Sequence, residues 1–341
     1  MRFSRERKDS SNILMYQERN FFAKVPFLFE LYLSMKLAAF LIFMISYGLQ
    51  AQTLLPKPGK KLSRQIELIV REAGLDSSYK TDEKLPEKVS IAVIDFTGKP
   101  VTGGVNMDNF IYPASVYKMY VAMEILKQVS EGKYPLNRPY VVTAPNDVDR
   151  SREVSSDPRP LLRHGDTVTI NYLLDLMITR SDNTAANCLI DIARREHINA
   201  TILANGWKGS EVTRKFLSRK VEEPGYDTIR GTETTARHAA EFMYRVASGQ
   251  LINSWVSLQM KALLGRQLDK TKMAQGLPAS AMFSHKTGWW SYYTHDVGIV
   301  EDQQIKYIVA VFTPVKEAQM KGRLVLLAQK IHVLMQERHR R

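Results

Sequence analysis

The sequence predicts an α+β fold: an antiparallel sheet flanked by helices, joined to an all-helical lobe. Three observations predict it. Two strand-like, largely β-branched runs stand early in the chain and three more stand late. Between them lies a long block whose apolar residues recur at helical spacing. A long amphipathic segment closes the chain. A sheet interrupted by a helical insertion makes two lobes, and sites commonly form in the cleft between lobes.

The elements follow in order. Thr53 to Lys60 is rich in Pro, Gly and Lys and reads as linker. Lys61 to Gly74 places Leu62, Ile66, Ile69 and Val70 on one helical face, and Gly74 stops it. Val89 to Phe96 and Val101 to Asn106 are strands around a Gly-Lys-Pro turn. Val116 to Gln128 is helical, and residues 134–168, rich in Pro, Asp, Arg and Ser, read mostly as loop. Ile170 to Arg180, Asn183 to Arg195, Asn199 to Ala204, Thr232 to Ser248 and Ser254 to Leu264 are helices, with 206–231 irregular. Ala281 to Gly288, Val297 to Glu301 and Lys306 to Pro314 are strands, and Lys316 to Glu337 is the closing helix.

The composition is that of a globular protein: 341 residues, 44% hydrophobic and 24% charged. Disordered, collagen-like and polytopic membrane proteins are excluded. The lone cysteine, Cys188, falls on an apolar helix stripe and reads as core; it excludes an intrachain disulfide and a cysteine zinc site. The seven histidines do not cluster at metal-ligand spacing, so neither metal nor other cofactor is expected. The net charge of +13 is spread along the chain with no nucleic-acid motif. A solvated basic surface, or attraction to an anionic polymer such as a cell wall, accounts for it; a nucleic-acid partner is not expected.

The N-terminus reads as an export signal. Lys36 precedes an uncharged run from Leu37 to Leu49, and Ala51 offers a small residue for cleavage. The run is short of the roughly 20 residues that a spanning helix needs. The expectation is therefore a signal at 35–51, a linker at 52–60 and a catalytic domain at 61–341. Within that domain an α/β lobe takes 61–114 and 275–341, and a helical lobe takes 115–274. Met35 opens the signal, so translation from it would leave residues 1–34 outside the protein. A periplasmic or secreted monomer is expected, with no membrane insertion after cleavage.

The chemistry sits in three short motifs. Ser115-Val116-Tyr117-Lys118 opens a helix, which puts a hydroxyl and an amine three residues apart on one face. A lysine whose pKa is lowered by burial can take the serine proton, and the backbone N–H groups of a helix start suit a developing oxyanion. Ser181-Asp182-Asn183 lies between two helices, where each residue also suits an N-cap. Lys286-Thr287-Gly288 ends a late strand before Trp289-Trp290. Each motif alone is weak. In this order and these element contexts the three form a known set.

With that set, the sequence resembles the class A β-lactamase family of penicillin-recognising serine hydrolases, whose fold is β-lactamase/transpeptidase-like. The resemblance also runs through Val89 to Asp95, Phe110 to Ser115, Ser181 to Asn187, Thr294 to Val300 and the last helix, covering about residues 60–341. It implies that Ser115 is the acylated nucleophile and Lys118 its base or relay. It implies that Ser181 passes a proton to the leaving nitrogen and that Asn183 holds the substrate side-chain amide and orients Lys118. Lys286 would place charge near Ser181 and the substrate carboxylate, which Thr287 would bind. The N–H groups of Ser115 and of Trp289, after Gly288, would form the oxyanion hole. The implied substrate is a β-lactam or a peptidoglycan-like amide.

Three departures stand out. The family's R-x-E-x-x-L-N pattern, whose glutamate activates the deacylating water, is missing. An ungapped count from Val212-Thr213-Arg214 puts Arg219 at that glutamate, and Glu222 and Glu223 lie nearby outside the pattern. Without that base an acyl-enzyme forms and hydrolyses slowly, so a D,D-peptidase-like wall enzyme or an acylated sensor stands beside the β-lactamase reading. Trp289-Trp290-Ser291-Tyr292-Tyr293 is bulkier than the family's residues after the third motif, which suggests packing or a narrowed pocket. The loop at 144–166 is long, and reads either as shaping substrate choice or as a surface insertion.

Overall fold

The computed structural model describes Lys36 and residues 56–81, 87–216, 225, 228–303 and 305–340. The expected signal apart from Lys36, the residues before Met35, Arg219, Glu222 and Glu223 lie outside the described residues. The chain divides into two units, Met1–Leu54 and Leu55–Arg341, and the second carries everything that follows. No described helix is long and apolar enough to cross a membrane.

The sheet has six strands: β1 (Lys57–Pro58), β4 (Ser90–Asp95), β5 (Val101–Val105), β8 (Met282–Trp290), β9 (Tyr293–Asp302) and β10 (Ile305–Thr313). Their order is β1-β5-β4-β10-β9-β8. All neighbours are antiparallel except β1, whose Lys57 and Pro58 pair in parallel with Val101 and Thr102. The segment expected as linker thus contributes a short edge strand. Two further pairs are small: β2 (Ser78–Tyr79) with β3 (Glu87–Lys88), and β6 (Pro139–Val141) with β7 (Thr167–Thr169). The last pair lies inside the stretch expected as loop; its two strands carry too few residues for alternation to show in the sequence.

The helices are α1 (Lys60–Glu72), α2 (Lys118–Ser130), α3 (Ile170–Thr179), α4 (Asn183–Ala193), α5 (Arg195–Ala204), α6 (Ala236–Ala247), α7 (Ser254–Gly265) and α8 (Glu317–His339). Capping explains several starts. Thr169, Asp182, Thr235 and Asn253 each accept an early backbone N–H of the helix they precede. Thr235 is therefore the cap of α6, which begins at Ala236, four residues inside the predicted span.

The sheet is buried on both faces, which is why its central strands read as continuous apolar runs. Alternation along β4 sends Ile91 and Val93 to a core shared with α1 and α8 residues such as Ile66 and Leu327, and Ala92 and Ile94 to a core shared with the helical block. β10 divides in the same way, with Val309 and Val311 on the first side and Ile308 and Phe312 on the second. Cys188 sits fully buried in the helical core, where burial pushes its thiol up to about 12.

Close backbone packing makes one strand position intolerant. A Cβ on Gly104 would stand 1.9 Å from the Ile91 carbonyl oxygen on β4, whereas one on Gly98 in the adjoining turn would meet nothing within 4 Å. Gly104→Ala is expected to cost about 3 kcal/mol and Gly98→Ala less than about 0.5 kcal/mol, read by urea denaturation. Equal costs would contradict the β4–β5 packing.

Candidate active site

Ser115 lies in a single 3-10 turn, Ala114–Tyr117, that runs directly into α2. Its neighbour Ala114 has φ +45°, a left-handed conformation that a residue with a Cβ holds only when its surroundings impose it. The imposing neighbour is β8. A Cβ on Gly288 would stand 2.9 Å from the Pro113 carbonyl, 3.0 Å from the Val116 nitrogen and 3.1 Å from the Ser115 nitrogen. The third motif needs its glycine because strand backbone and turn backbone touch there.

Lys118, at the start of α2, is fully buried. Its Nζ donates to the Ser181 carbonyl (2.5 Å), Ser181 Oγ (3.2 Å) and Asn183 Oδ1 (2.8 Å). Helix spacing suggested a direct meeting with Ser115, but no hydrogen bond among the described residues joins the two. The 3-10 geometry of the turn and the stronger acceptors on the second motif take the amine instead. Ser181 itself has φ +63°, which lets both its carbonyl and its hydroxyl face one amine.

The third motif closes the set. Lys286 on β8, also fully buried, donates to Ser181 Oγ (3.0 Å) and to the Thr287 carbonyl (2.8 Å). Two lysines therefore share one hydroxyl. Burial lowers both pKa values. For Lys286, burial and then the charge of Lys118 bring it to about 7. Thr287 is fully buried too, and its Oγ1 has no hydrogen-bond partner among the described residues. Strand alternation turns His285 the other way, onto Asp296 at 2.8 Å.

The 144–166 loop proves to be part of the site. Asp149 accepts from the backbone N–H of Asn183 (2.7 Å) and Thr184 (3.1 Å) and from Asn183 Nδ2 (2.8 Å). It caps α4 and turns the Asn183 amide so that its oxygen faces Lys118. Arg180, itself buried, fastens the loop by donating to Asp182 (2.7 Å) and to the carbonyls of Arg159 (2.8 Å) and Pro160 (2.9 Å). The sequence offered no signal for these roles, because the loop residues and the partners they hold across it lie 20 to 35 positions apart.

Ser115, Ser181 and Asn183 line a cleft of about 310 Å³ with the loop residues Asp149 and Glu153 and the aromatic residues Phe216, Trp289 and Trp290. The two tryptophans are 40% and 46% exposed, so they wall the cleft instead of filling a core. Trp290 meets Phe216 edge to face at 5.4 Å. Trp289 Nε1 donates to Glu153 Oε1 at 3.1 Å. Phe216 thus stands on the cleft wall three positions before Arg219, where the ungapped count puts the family's glutamate.

A family model described as the beta-lactamase enzyme family matches residues 75–331, well over half of the chain. This chain belongs to that family. Among curated relatives, the extended-spectrum beta-lactamase PER-1 of Pseudomonas aeruginosa is 23% identical over 202 residues, which is 54% of this chain and 61% of that protein. The match thus spans less than two thirds of the relative's length. Similar solved structures include a variant of PBP-A as its acyl-enzyme complex with penicillin G, at 18% identity and TM-score 0.68, covering 83% of this chain and 99% of that one. A beta-lactamase from Sphaerobacter thermophilus aligns at 20% identity and TM-score 0.67, covering 80% and 97%. These likenesses establish the β-lactamase/transpeptidase-like α+β fold. In this family member Ser115, Ser181, Asn183 and Trp289 line the cleft with Asp149, Glu153 and Phe216, Lys118 and Lys286 meet at Ser181 Oγ, and Gly288 packs against the Ser115 turn.

Removing the Asp149 carboxylate strands three donors at the start of α4. Asp149→Ala is expected to lower stability by about 2 kcal/mol, measured by urea denaturation. An unchanged midpoint would mean that α4 does not depend on the loop for its cap.

Proposed function

We propose that this chain is an exported serine hydrolase that opens a β-lactam, or a wall-peptide amide of similar shape, through an ester on Ser115, and that it releases the ester slowly. The observation that carries this reading is the convergence of Lys118 and Lys286 on Ser181 Oγ beside Ser115.

Uncharged Lys118 takes the Ser115 proton as Oγ attacks the amide carbon. The N–H groups of Ser115 and Trp289 receive the developing oxyanion, held together by the Gly288 contact. As the C–N bond breaks, Ser181 hands its proton to the departing nitrogen and is resupplied by the adjoining lysines. Charged Lys286 and the Thr287 hydroxyl, which has no partner among the described residues, suit the substrate carboxylate. Slow release is argued from the sequence, where the family's R-x-E-x-x-L-N pattern is missing and the ungapped count puts Arg219 at its glutamate. Export rests on the uncharged run from Leu37 to Leu49, and a monomer acting on small substrates is proposed with it.

Intact mass followed against time after adding benzylpenicillin tests the reading. A lasting adduct is expected, and Ser115→Ala is expected to show none while keeping its melting temperature. An adduct forming at the original rate in that variant would move the nucleophile elsewhere. Many turnovers without a lasting adduct would overturn slow release and direct attention to Glu222 and Glu223.

The lysine pair sets a pH profile. Acylation needs Lys118 uncharged, so the rate rises with pH as that proton leaves. It needs Lys286 charged, so the rate falls again as Lys286 deprotonates near 7. Lys286→Arg stays charged at higher pH and is expected to move the falling limb upward. A falling limb at the same pH in that variant would remove Lys286 from it.

A further inference from the structure

The cleft mouth carries a contact that the proposed chemistry does not use. Glu153 comes from the 144–166 loop on the helical side, and Trp289 stands near the end of β8 in the sheet. Both side chains line the cleft that holds Ser115, and the indole N–H of Trp289 donates to the Glu153 carboxylate at 3.1 Å. The bond therefore ties one side of the cleft to the other. The loop end of this tie is firm, because Arg180 and Asp149 anchor the segments around it. The strand end is firm as well, because β8 is paired along its length with β9 and pressed against the Ser115 turn. Trp290 leans the other way, onto Phe216. The two consecutive indoles thus brace opposite rims of the same opening.

We propose that the Glu153–Trp289 bridge is a specificity gate: it selects for amides with a compact acyl side chain and against those whose bulk must displace the indole. The proposal rests on Ser115 acylation as read above. A bulky acyl group entering along β8 meets the Trp289 ring first, and moving the ring means breaking its hydrogen bond to a carboxylate. Such bonds are modest at a half-exposed site, so the gate biases the choice without forbidding entry. The expected discrimination attributable to the bond is about threefold to tenfold in acylation rate. Glu153 carries a second effect of the same sign on the site. Its charge favours the protonated form of both Lys118 and Lys286, so the closed gate also sits within electrostatic reach of the reacting groups.

The test compares the second-order acylation rate constants of benzylpenicillin, with a compact side chain, and cefotaxime, with a branched oxyimino one. Four proteins are needed: unmodified, Trp289→Phe, Glu153→Ala and the double variant. Trp289→Phe keeps an aromatic ring and the backbone N–H but loses the donor; Glu153→Ala loses the acceptor. Each single change is expected to raise the cefotaxime-to-benzylpenicillin ratio by about threefold to tenfold, and the double variant is expected to do no more than either alone. Unchanged ratios, or effects that multiply in the double variant, would overturn the gate. The Trp289 indole N–H resonance gives a readout independent of catalysis. It is assigned by its loss in Trp289→Phe and is expected to shift upfield in Glu153→Ala. No shift would show that the bridge does not form, which sinks the proposal. A clear shift with no acylation by either compound would instead overturn the Ser115 reading and leave the bridge as a structural contact.

Discussion

Two buried lysines that share one serine hydroxyl are the constraint on which the site depends. Lys118 and Lys286 come from a helix and a strand more than 160 positions apart, and both donate to Ser181 Oγ. Both amines are fully buried, so each must find acceptors in the protein. The Ser181 carbonyl, the Asn183 amide oxygen and the Thr287 carbonyl supply them. Two ammonium groups this close also oppose each other, which favours a state with one proton between them. That shared state is what makes an amine available as a base in the same place where a positive charge is retained.

The backbone around this pair is held under local strain. Ala114 and Ser181 both take positive φ, and each sits where a motif must present a hydroxyl and a carbonyl or N–H at once. Such conformations persist only when the surroundings over-determine them. Here the Gly288 contact fixes the first, and the Lys118 and Lys286 bonds fix the second. The 144–166 loop then secures the far side through Asp149 and Arg180, two residues whose own charges are spent on backbone groups and partners. Rigidity at the site is thus assembled from outside the motifs.

Elements with strong period signals were legible: β4 and β10 as β-branched runs, and α2 to α4 as helices with apolar faces. Cys188 was legible as core for the same reason. The short pairs β1–β5 and β6–β7 were not, since strands of two or three residues show no alternation. The motif residues were legible because their chemistry requires particular side chains at fixed spacing. Phe216 and Glu153 were not, because a cleft wall is defined by what stands opposite, and nothing local marks it.

The sequence by itself therefore determined the α+β class, the three motifs, their order and the missing glutamate pattern, all of which are properties of neighbouring residues. Only the tertiary structure decided that the Lys118 amine bonds Ser181 instead of Ser115, that Asp149 orients the second motif, and that an indole and a carboxylate meet across the cleft. Those outcomes rest on contacts between segments far apart in the chain, where distance and burial choose which acceptor each donor finds. Spacing along a single helix or strand carries no record of that choice.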